Sequence, residues 1–421
     1  YIERYAAKVK LSVAKESIEA YDDVEGYTLT FVPEAWGITA DAPSMYAVKR
    51  FSTTAGNTAP IPTEADVQTS LGGWTLWNDA PLHRSYWACS PSYYATDFPL
   101  VSDNIIDAAA NGSTGAGEVV DPYALKYYSY NQIVGKNGSP IAADGVEVAR
   151  YSLENTMGAA AFQSQNPMAA APSALLVGHY TIAYNGTALG TTPTFYLYNG
   201  GIYFDEVPAG VAADAVTIRE YLLAHQNIIA VRVGDKYENA NIQNLPASAT
   251  VNVVHPSKAV RDVADEKLSE ELVTLQVEDG AGLYYKPLGS DEWTSLAGAD
   301  ENVLNYVNRQ LMGMLRYAHT YTNGKCYFSI PIQHLGLTEN TTNSPYDENN
   351  LLDWKKVRVG DFGLVRNHVY DINVTGIEGL ASGINNLENP IVTPMNTYNY
   401  YIRYTLNVLN WRIVPSQNVV L

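Results

Sequence analysis

Cysteine is almost missing from this chain: there are 2 among 421 residues, Cys89 and Cys326. They lie far apart and form neither a CxxC pair nor a metal spacing. A disulfide framework and a thiolate zinc site are therefore excluded. Both sit beside aromatics in apolar strand contexts, so they read as buried free thiols. Basic residues are also scarce, with 26 Lys and Arg against 44 Asp and Glu, a net charge of −18. That balance argues against nucleic acid or anionic lipid as a partner. No run approaches 18 apolar residues, so no transmembrane helix is expected. No signal peptide is recognised, and the chain opens inside a strand pattern, so an end shortened by processing, by truncation or by disorder is expected.

The signatures of common chemistries are missing as well. GxSxG, HExxH, a Walker loop and an EF-hand pattern do not occur. "GAGEVV" near Gly115 and "DGAGLYY" near Gly280 lack a third glycine and read as turns. The histidines (His83, His179, His225, His255, His319, His334 and His368) are scattered, with no two at a ligand spacing. Acidic clusters at Asp22, Asp23 and Glu25, at Asp300 and Glu301, and at Asp347 and Glu348 read first as solvated loops and second as a calcium site. A carboxylate pair for glycoside hydrolysis is conceivable on a β-sandwich. No pair stands out in the sequence, so the expectation is no enzyme, no cofactor and no metal.

What the chain has is tyrosine: 32 Tyr against 8 Phe. Clusters fall at Tyr127, Tyr128 and Tyr130, at Tyr284 and Tyr285, and at Tyr398, Tyr400, Tyr401 and Tyr404. Tyrosine suits half-wet sheet faces, because its ring packs while its hydroxyl stays hydrated. A carbohydrate- or protein-binding surface is the sharper alternative, and Trp74, Trp77 and Trp87 could form a platform for a glycan. Hydrophobic residues make up 46% and charged residues 17%, which is globular composition. The length favours two domains.

Strand patterns dominate. In "YIERYAAKVKLSVA", Tyr5, Ala7, Val9, Leu11 and Val13 share one face, and Arg4, Lys8, Lys10 and Ser12 share the other. "GYTLTFVPEAWG" is a second strand, stopped at Pro33. Short helices are expected over residues 64–71 and 102–110, and "GVEVARYSLENT" reads as a strand. The Ala-rich, Pro-broken "MGAAAFQSQNPMAAAPS" is the best domain boundary. Beyond it, "ALLVGHYTIAY" and "TFYLYNGGIYF" carry turns at Asn185–Gly186 and Asn199–Gly200. Two helices follow. One is "AVTIREYLLAHQN", capped by Asp214, with Ile218, Tyr221, Leu222 and His225 on one face. The other is "DENVLNYVNRQLMGMLRYAH", capped by Asp300, with a stripe of Val303, Leu304, Val307, Leu311, Met314 and Leu315 and with Gly324 beyond its end. The last hundred residues return to strands. "YYIRYTLNVLNWRIV" places Ile402, Tyr404, Leu406 and Val408 on one face, then shifts so that Leu409, Trp411 and Ile413 carry the pattern. The fold class is mainly β, built from β-sandwiches with a few short helices.

Three C-terminal blocks, "CYFSIPIQHL" (residues 326–335), "GDFGLVRNHVYDINVTGIEGLASGI" (360–384) and "YTLNVLNWRIVPSQNVVL" (404–421), resemble the fimbrillins of type V pili, surface fibres of anaerobic oral and gut bacteria. The run Val365, Arg366, Asn367, His368 with Tyr370 is the most specific element. It reads as a hydrogen-bonded turn entering a strand, with Arg366 pairing to an acidic neighbour. "IERYAAKVKLSV" and "YSLENT" are weaker echoes of the family. The layout is most similar to the shaft subunit of the minor fimbria. A non-polymerising tip adhesin or glycan-binding surface lipoprotein is the alternative.

The resemblance implies two transthyretin-like β-sandwich domains, 1–172 and 173–421. It also implies export as a lipoprotein to the outer membrane and cleavage after an arginine by an Arg-specific surface protease. That arginine is expected to precede Tyr1. Arg4 is the alternative, although it lies inside the strand pattern. Cleavage opens a groove bordered by the strand of Tyr5, Ala7, Val9, Leu11 and Val13. A neighbouring identical subunit fills the groove with Trp411, Ile413, Val414, Val419, Val420 and Leu421. Burying five such side chains contributes about 7–15 kcal/mol gross, and Pro415 interrupts the backbone pairing at one point. Anchor and tip proteins and host or bacterial receptors complete the implied partners.

Overall fold

The computed structural model describes residues 4–14, 20–21, 24, 26–47, 90–91, 125–141, 148–156, 171–198, 200–212, 215–255, 272–314, 316–334, 362–377, 379–391 and 402–410. The expected helices over 64–71 and 102–110, the Ala-rich boundary segment as far as residue 170, Asp214, Trp74, Trp77, Trp87 and residues 411–421 lie outside these. Strands β1 (Ala6–Val13) and β2 (Tyr27–Thr39) open the chain. A short helix α1 (Tyr130–Gln132) follows and continues as a π-turn over Ile133–Asn137. Then come β3 (Ser139–Pro140), β4 (Ala149–Leu153), β5 (Asn155–Thr156), β6 (Ser173–Tyr184), β7 (Thr187–Ala188), β8 (Phe195–Tyr198) and β9 (Gly201–Phe204). Helix α2 (Ile218–His225) precedes β10 (Ile229–Val233), β11 (Lys236–Asn239), β12 (Thr250–Val254), β13 (Leu272–Tyr285) and β14 (Thr294–Leu296). Helix α3 (Glu301–Met312) leads to β15 (Arg316–Tyr317), β16 (His319–Tyr321), β17 (Lys325–Pro331), β18 (Gly363–Leu364), β19 (His368–Ile377), β20 (Ser382–Gly383) and β21 (Ile402–Asn410). The protein is mainly β, as the alternating patterns predict.

Two sheets form a sandwich. The first has the order β21-β19-β1-β4, and the second has β20-β17-β6-β2-β3. Alternation decides which residues meet between them. Ala7, Val9 and Leu11 of β1 and Tyr370, Ile372 and Val374 of β19 pack against Leu29, Phe31, Trp36, Ile38, Leu176, Tyr180 and Phe328. Asn373 and Thr375 face outward and are exposed. This core draws on both sides of position 172: β1 and β2 come before it, and β6, β17 and β19 come after. β1 pairs in parallel with β19, Lys8 opposite Val369 and Val13 opposite Val374.

Strand β2 does not stop at Pro33. It runs on to Thr39, and the register against β6 shifts between Pro33 and Ala35. Proline has no N–H to give the ladder, and a bulge absorbs that loss. The bulge also changes parity, so Leu29 and Phe31 before it and Trp36 and Ile38 after it enter the same core. Opposite the bulge, a Cβ on Gly178 would lie 2.7 Å from the Phe31 ring and would also meet the Val32 carbonyl. Glycine is therefore required there. On the other face of this sheet Leu175 and Val177 pack with Tyr130, Ile133, Tyr327, Ile384 and Ile391. Ser129 and Gln132 hold α1 there with a capping box.

A second core lies within residues 196–318, where α2 and α3 pack on a sheet of order β11-β10-β13-β12. Asp300 caps α3 as predicted, accepting from the Val303 N–H at 3.0 Å. The helix ends at Met312 and not near His319, because Gly313 forms the C-cap. Helix α2 is capped by Thr217, whose side chain and that of Glu220 complete a capping box. Its buried face is Ile218, Leu222 and Leu223, while His225 is exposed. The Asn185–Gly186 turn is as predicted, both residues having positive φ (48° and 77°). The irregularity near the end of the first sheet lies in β19 between Val374 and Gly376, opposite Tyr404 and Arg403, and not at Val408–Leu409.

Candidate assembly site

Strand β1 lies inside its sheet, between β19 and β4. Ala7, Val9 and Leu11 point into the core, Val13 is partly buried against it, and Tyr5 is 59% exposed. Arg4 is exposed and lies before the strand, which begins at Ala6. Among the described residues, the edges of this sheet are β4 and β21. Strand β4 carries Tyr151 on its outer face, opposite Lys8 and 62% exposed. Strand β21 runs antiparallel to β19 for its whole length, so Ile402–Asn410 closes the chain's own sheet. Leu409 and Lys8 are both paired to Val369. Strand β21 therefore ends, at Asn410, at the end of the sheet where β1 begins. Trp411, Ile413, Val414, Val419, Val420 and Leu421 lie beyond the described residues.

At that same end sits a buried polar lock. Arg366 is 1% exposed and donates from Nε and Nη2 to Glu154 Oε2, at 3.0 and 2.7 Å. It also donates to the carbonyls of Tyr46 (2.6 Å) and Ala47 (3.2 Å). Its guanidinium carbon lies 5.8 Å from the centre of the Tyr5 ring, a cation–π contact. Asn367 adopts a left-handed φ of 67°, and its N–H reaches the Ala6 carbonyl at 3.0 Å. Thus two residues of one turn, Arg366 and Asn367, bind the entry of β1, the 46–47 segment and the end of β4. A buried guanidinium demands such compensation, since its hydration is lost. The sequence reading of Arg366 as the acidic neighbour's partner is correct, and the neighbour is Glu154.

Beside the lock, the Tyr370 hydroxyl accepts from the Val365 N–H at 2.8 Å and shares a hydrogen bond of 2.8 Å with His334 Nδ1. Burial pushes its phenol well above the ordinary range. His368 donates from Nδ1 to the Arg366 carbonyl at 3.0 Å, and its ring lies edge-on to His334, 5.1 Å between centroids. These two histidines are 34 residues apart, and their spacing gave no sign of the contact. Strand β4 is pinned by Ser152, which donates to Asp41 Oδ1 at 2.7 Å. Burial raises the Asp41 carboxyl. Ser90 ties to the carbonyl of Glu154 at 2.8 Å, and Asn155 donates to the Ala40 carbonyl.

A further polar cluster bridges three strands of the second sheet. Glu34 accepts from Lys325 Nζ at 2.7 Å, from His179 Nδ1 at 2.5 Å and from the Tyr130 hydroxyl at 2.5 Å. Burial alone would raise its carboxyl, but the hydrogen bonds from Lys325, Tyr130 and His179 outweigh it and hold it below the ordinary range. Among the described residues no group of His, Cys, Asp and Glu is arranged to hold a metal ion, and no helix is long and apolar enough to cross a membrane.

The geometry describes a β-sandwich whose candidate site is a sheet edge and a pinned strand end. Residues 319–417 match the family model described as major fimbrial subunit protein type IV, fimbrillin, C-terminal. The match runs from β16 through β21, so this C-terminal part of the chain is similar to the C-terminal part of fimbrillins, which are structural subunits of fimbriae. No curated protein matches the chain significantly.

Proposed function

We propose that this fimbrial subunit polymerises head-to-tail with identical copies by strand exchange, building a shaft that supports adhesion and biofilm contact. Residues 411–421, with Trp411, Ile413, Val414, Val419, Val420 and Leu421 as the apolar anchors, act as the donor. The acceptor is the edge that β1 supports, reached through β4. Anchor and tip proteins, an Arg-specific protease acting near Arg4 or before Tyr1, and surface receptors are the further partners, at the outer membrane.

The observation that carries this reading is the first sheet. Among the described residues its two edges are β4, paired only to β1, and β21, which leads directly into the donor segment. An open edge offers a row of backbone donors and acceptors to an incoming strand. Donor and acceptor are different surfaces, so the contact is heterologous and propagates as a filament. The buried lock keeps the supporting strand rigid beside that edge.

The test is protein matured by an Arg-specific protease, with and without residues 411–421. Negative-stain microscopy and an unboiled denaturing gel should show filaments and a ladder from the full chain alone. Equal polymerisation of both forms, or monomers in both, would overturn the proposal.

A further inference from the structure

A cavity of about 220 Å³ lies in the second core, bounded by α2, α3, β8 and β13. Its inner walls are Leu222, Val273, Leu275 and Leu311, all buried. Its rim is aromatic. Tyr221 stacks on His225 at 4.1 Å and meets Tyr198 at 5.4 Å. Tyr198 and Tyr221 are half-buried and His225 is exposed, so this rim faces solvent. Met314, left outside the helix by the stop at Gly313, lines the same cavity.

The polar groups of the lining are largely engaged. Gln226 donates to the carbonyls of Ile229 and Ala240 and accepts from the N–H groups of Ile228 and Ile229. Thr274 donates to the Leu311 carbonyl at 3.2 Å. His225 donates from Nδ1 to the Tyr221 carbonyl at 2.7 Å, which leaves Nε2 as an acceptor. The Tyr221 hydroxyl is hydrogen-bonded to Tyr203, so the cavity offers apolar walls, aromatic edges, and the Tyr198 hydroxyl and His225 Nε2 for a polar group of a ligand.

We infer that this cavity is a binding site for one planar aromatic ring bearing a single hydrogen-bond donor, an indole or phenol group, free or carried on a peptide. Size supports a ring. A dry cavity of about 150 Å³ accepts benzene, and the volume here leaves room for a fused or substituted ring. Chemistry argues against a sugar. A hexose would bring several hydroxyls into a lining with few unengaged partners, and burying unpaired hydroxyls is unfavourable. Aromatic rings instead gain edge-to-face contact with the tyrosines and sulfur contact with Met314. The excess of tyrosine therefore serves a ring-binding rim here and not a glycan platform. This inference is independent of the assembly reading.

The experiment uses the full chain with methyl-labelled methionine, the Met314 resonance being assigned with Met314→Leu. Indole, phenol, N-acetyl-tryptophanamide and N-acetylglucosamine are titrated to 10 mM. The Met314 methyl should shift with the three aromatics and not with the sugar. Leu222→Phe, which fills the cavity, and His225→Ala, which removes the rim acceptor without touching the core, should each weaken the response at least five-fold. Tighter binding of the tryptophan amide than of indole identifies a peptide source, and the reverse identifies a free small molecule. No shift with any aromatic, a larger shift with the sugar, or unchanged titrations in both variants would overturn the assignment.

Discussion

Replacing Glu154 with glutamine should cost far more than losing a surface ion pair. The change keeps the shape of the side chain but leaves the Arg366 guanidinium charged, 1% exposed, and facing neutral acceptors, the carbonyls of Tyr46 and Ala47 among them. Breaking one partner of a buried pair costs about 3–5 kcal/mol, which corresponds to an opening equilibrium raised by roughly two to three and a half decades. Arg366→Met should cost a similar amount, because Glu154 is then the stranded charge. The double variant Arg366→Met with Glu154→Leu removes both charges and should recover most of the loss. Hydrogen exchange read by mass spectrometry gives the local cost. Faster exchange is expected over residues 6–13, 149–156 and 365–377, with residues 218–312 unchanged. Urea unfolding supplies the global value. Single-variant losses below about 1 kcal/mol, the scale of an exposed pair, would refute the reasoning. So would a double variant as damaged as the sum of the singles.

Two further predictions follow from the second sheet. The Glu34 carboxyl is held below its ordinary value of 4.5, so its contribution is fully present above that pH and is lost as pH falls through the lowered value. Urea midpoints of the wild type and Glu34→Gln should differ by a constant amount above about pH 5 and converge in more acidic solution. A constant gap down to pH 3 would remove Glu34 from the account. Gly178→Ala places a methyl 2.7 Å from the Phe31 ring at the bulge. It should cost about 1–3 kcal/mol, visible as a lowered melting temperature, whereas Gly186→Ala meets no atom and should cost less, chiefly through its positive φ.

Periodicity made the faces of the strands legible. The alternation of Ala7, Val9 and Leu11 grouped the inward residues of β1 before any neighbour was known. The cap and buried stripe of α3 were equally plain. Partners were not legible, because a period of two fixes a face and says nothing of which strand lies alongside. The parallel pairing of β1 with β19 and the Arg366–Glu154 pair, 212 residues apart, belong to this second kind. The end of α3 was overrun because the apolar pattern continues past Gly313 to Met314 and Leu315. Pro33 was given too much weight as a terminator, since a bulge let β2 continue. The polar run Arg366, Asn367 and His368 between apolar residues was the one local signal of the lock.

The interleaved first sandwich has a consequence for the order in which the chain folds. Strand β1 cannot find its parallel partner until about 360 residues later in the chain, so closing this sandwich carries a large loop-closure cost and is slow. The core within residues 196–318 makes its contacts over much shorter separations and can form first. Once it has, the ends of β6 and β17, where His179 faces Lys325, are held close together. A loop of more than a hundred flexible residues is then replaced by a folded spacer. During synthesis the later-appearing unit thus becomes the scaffold, and the N-terminal strand, made first, is set in place among the last.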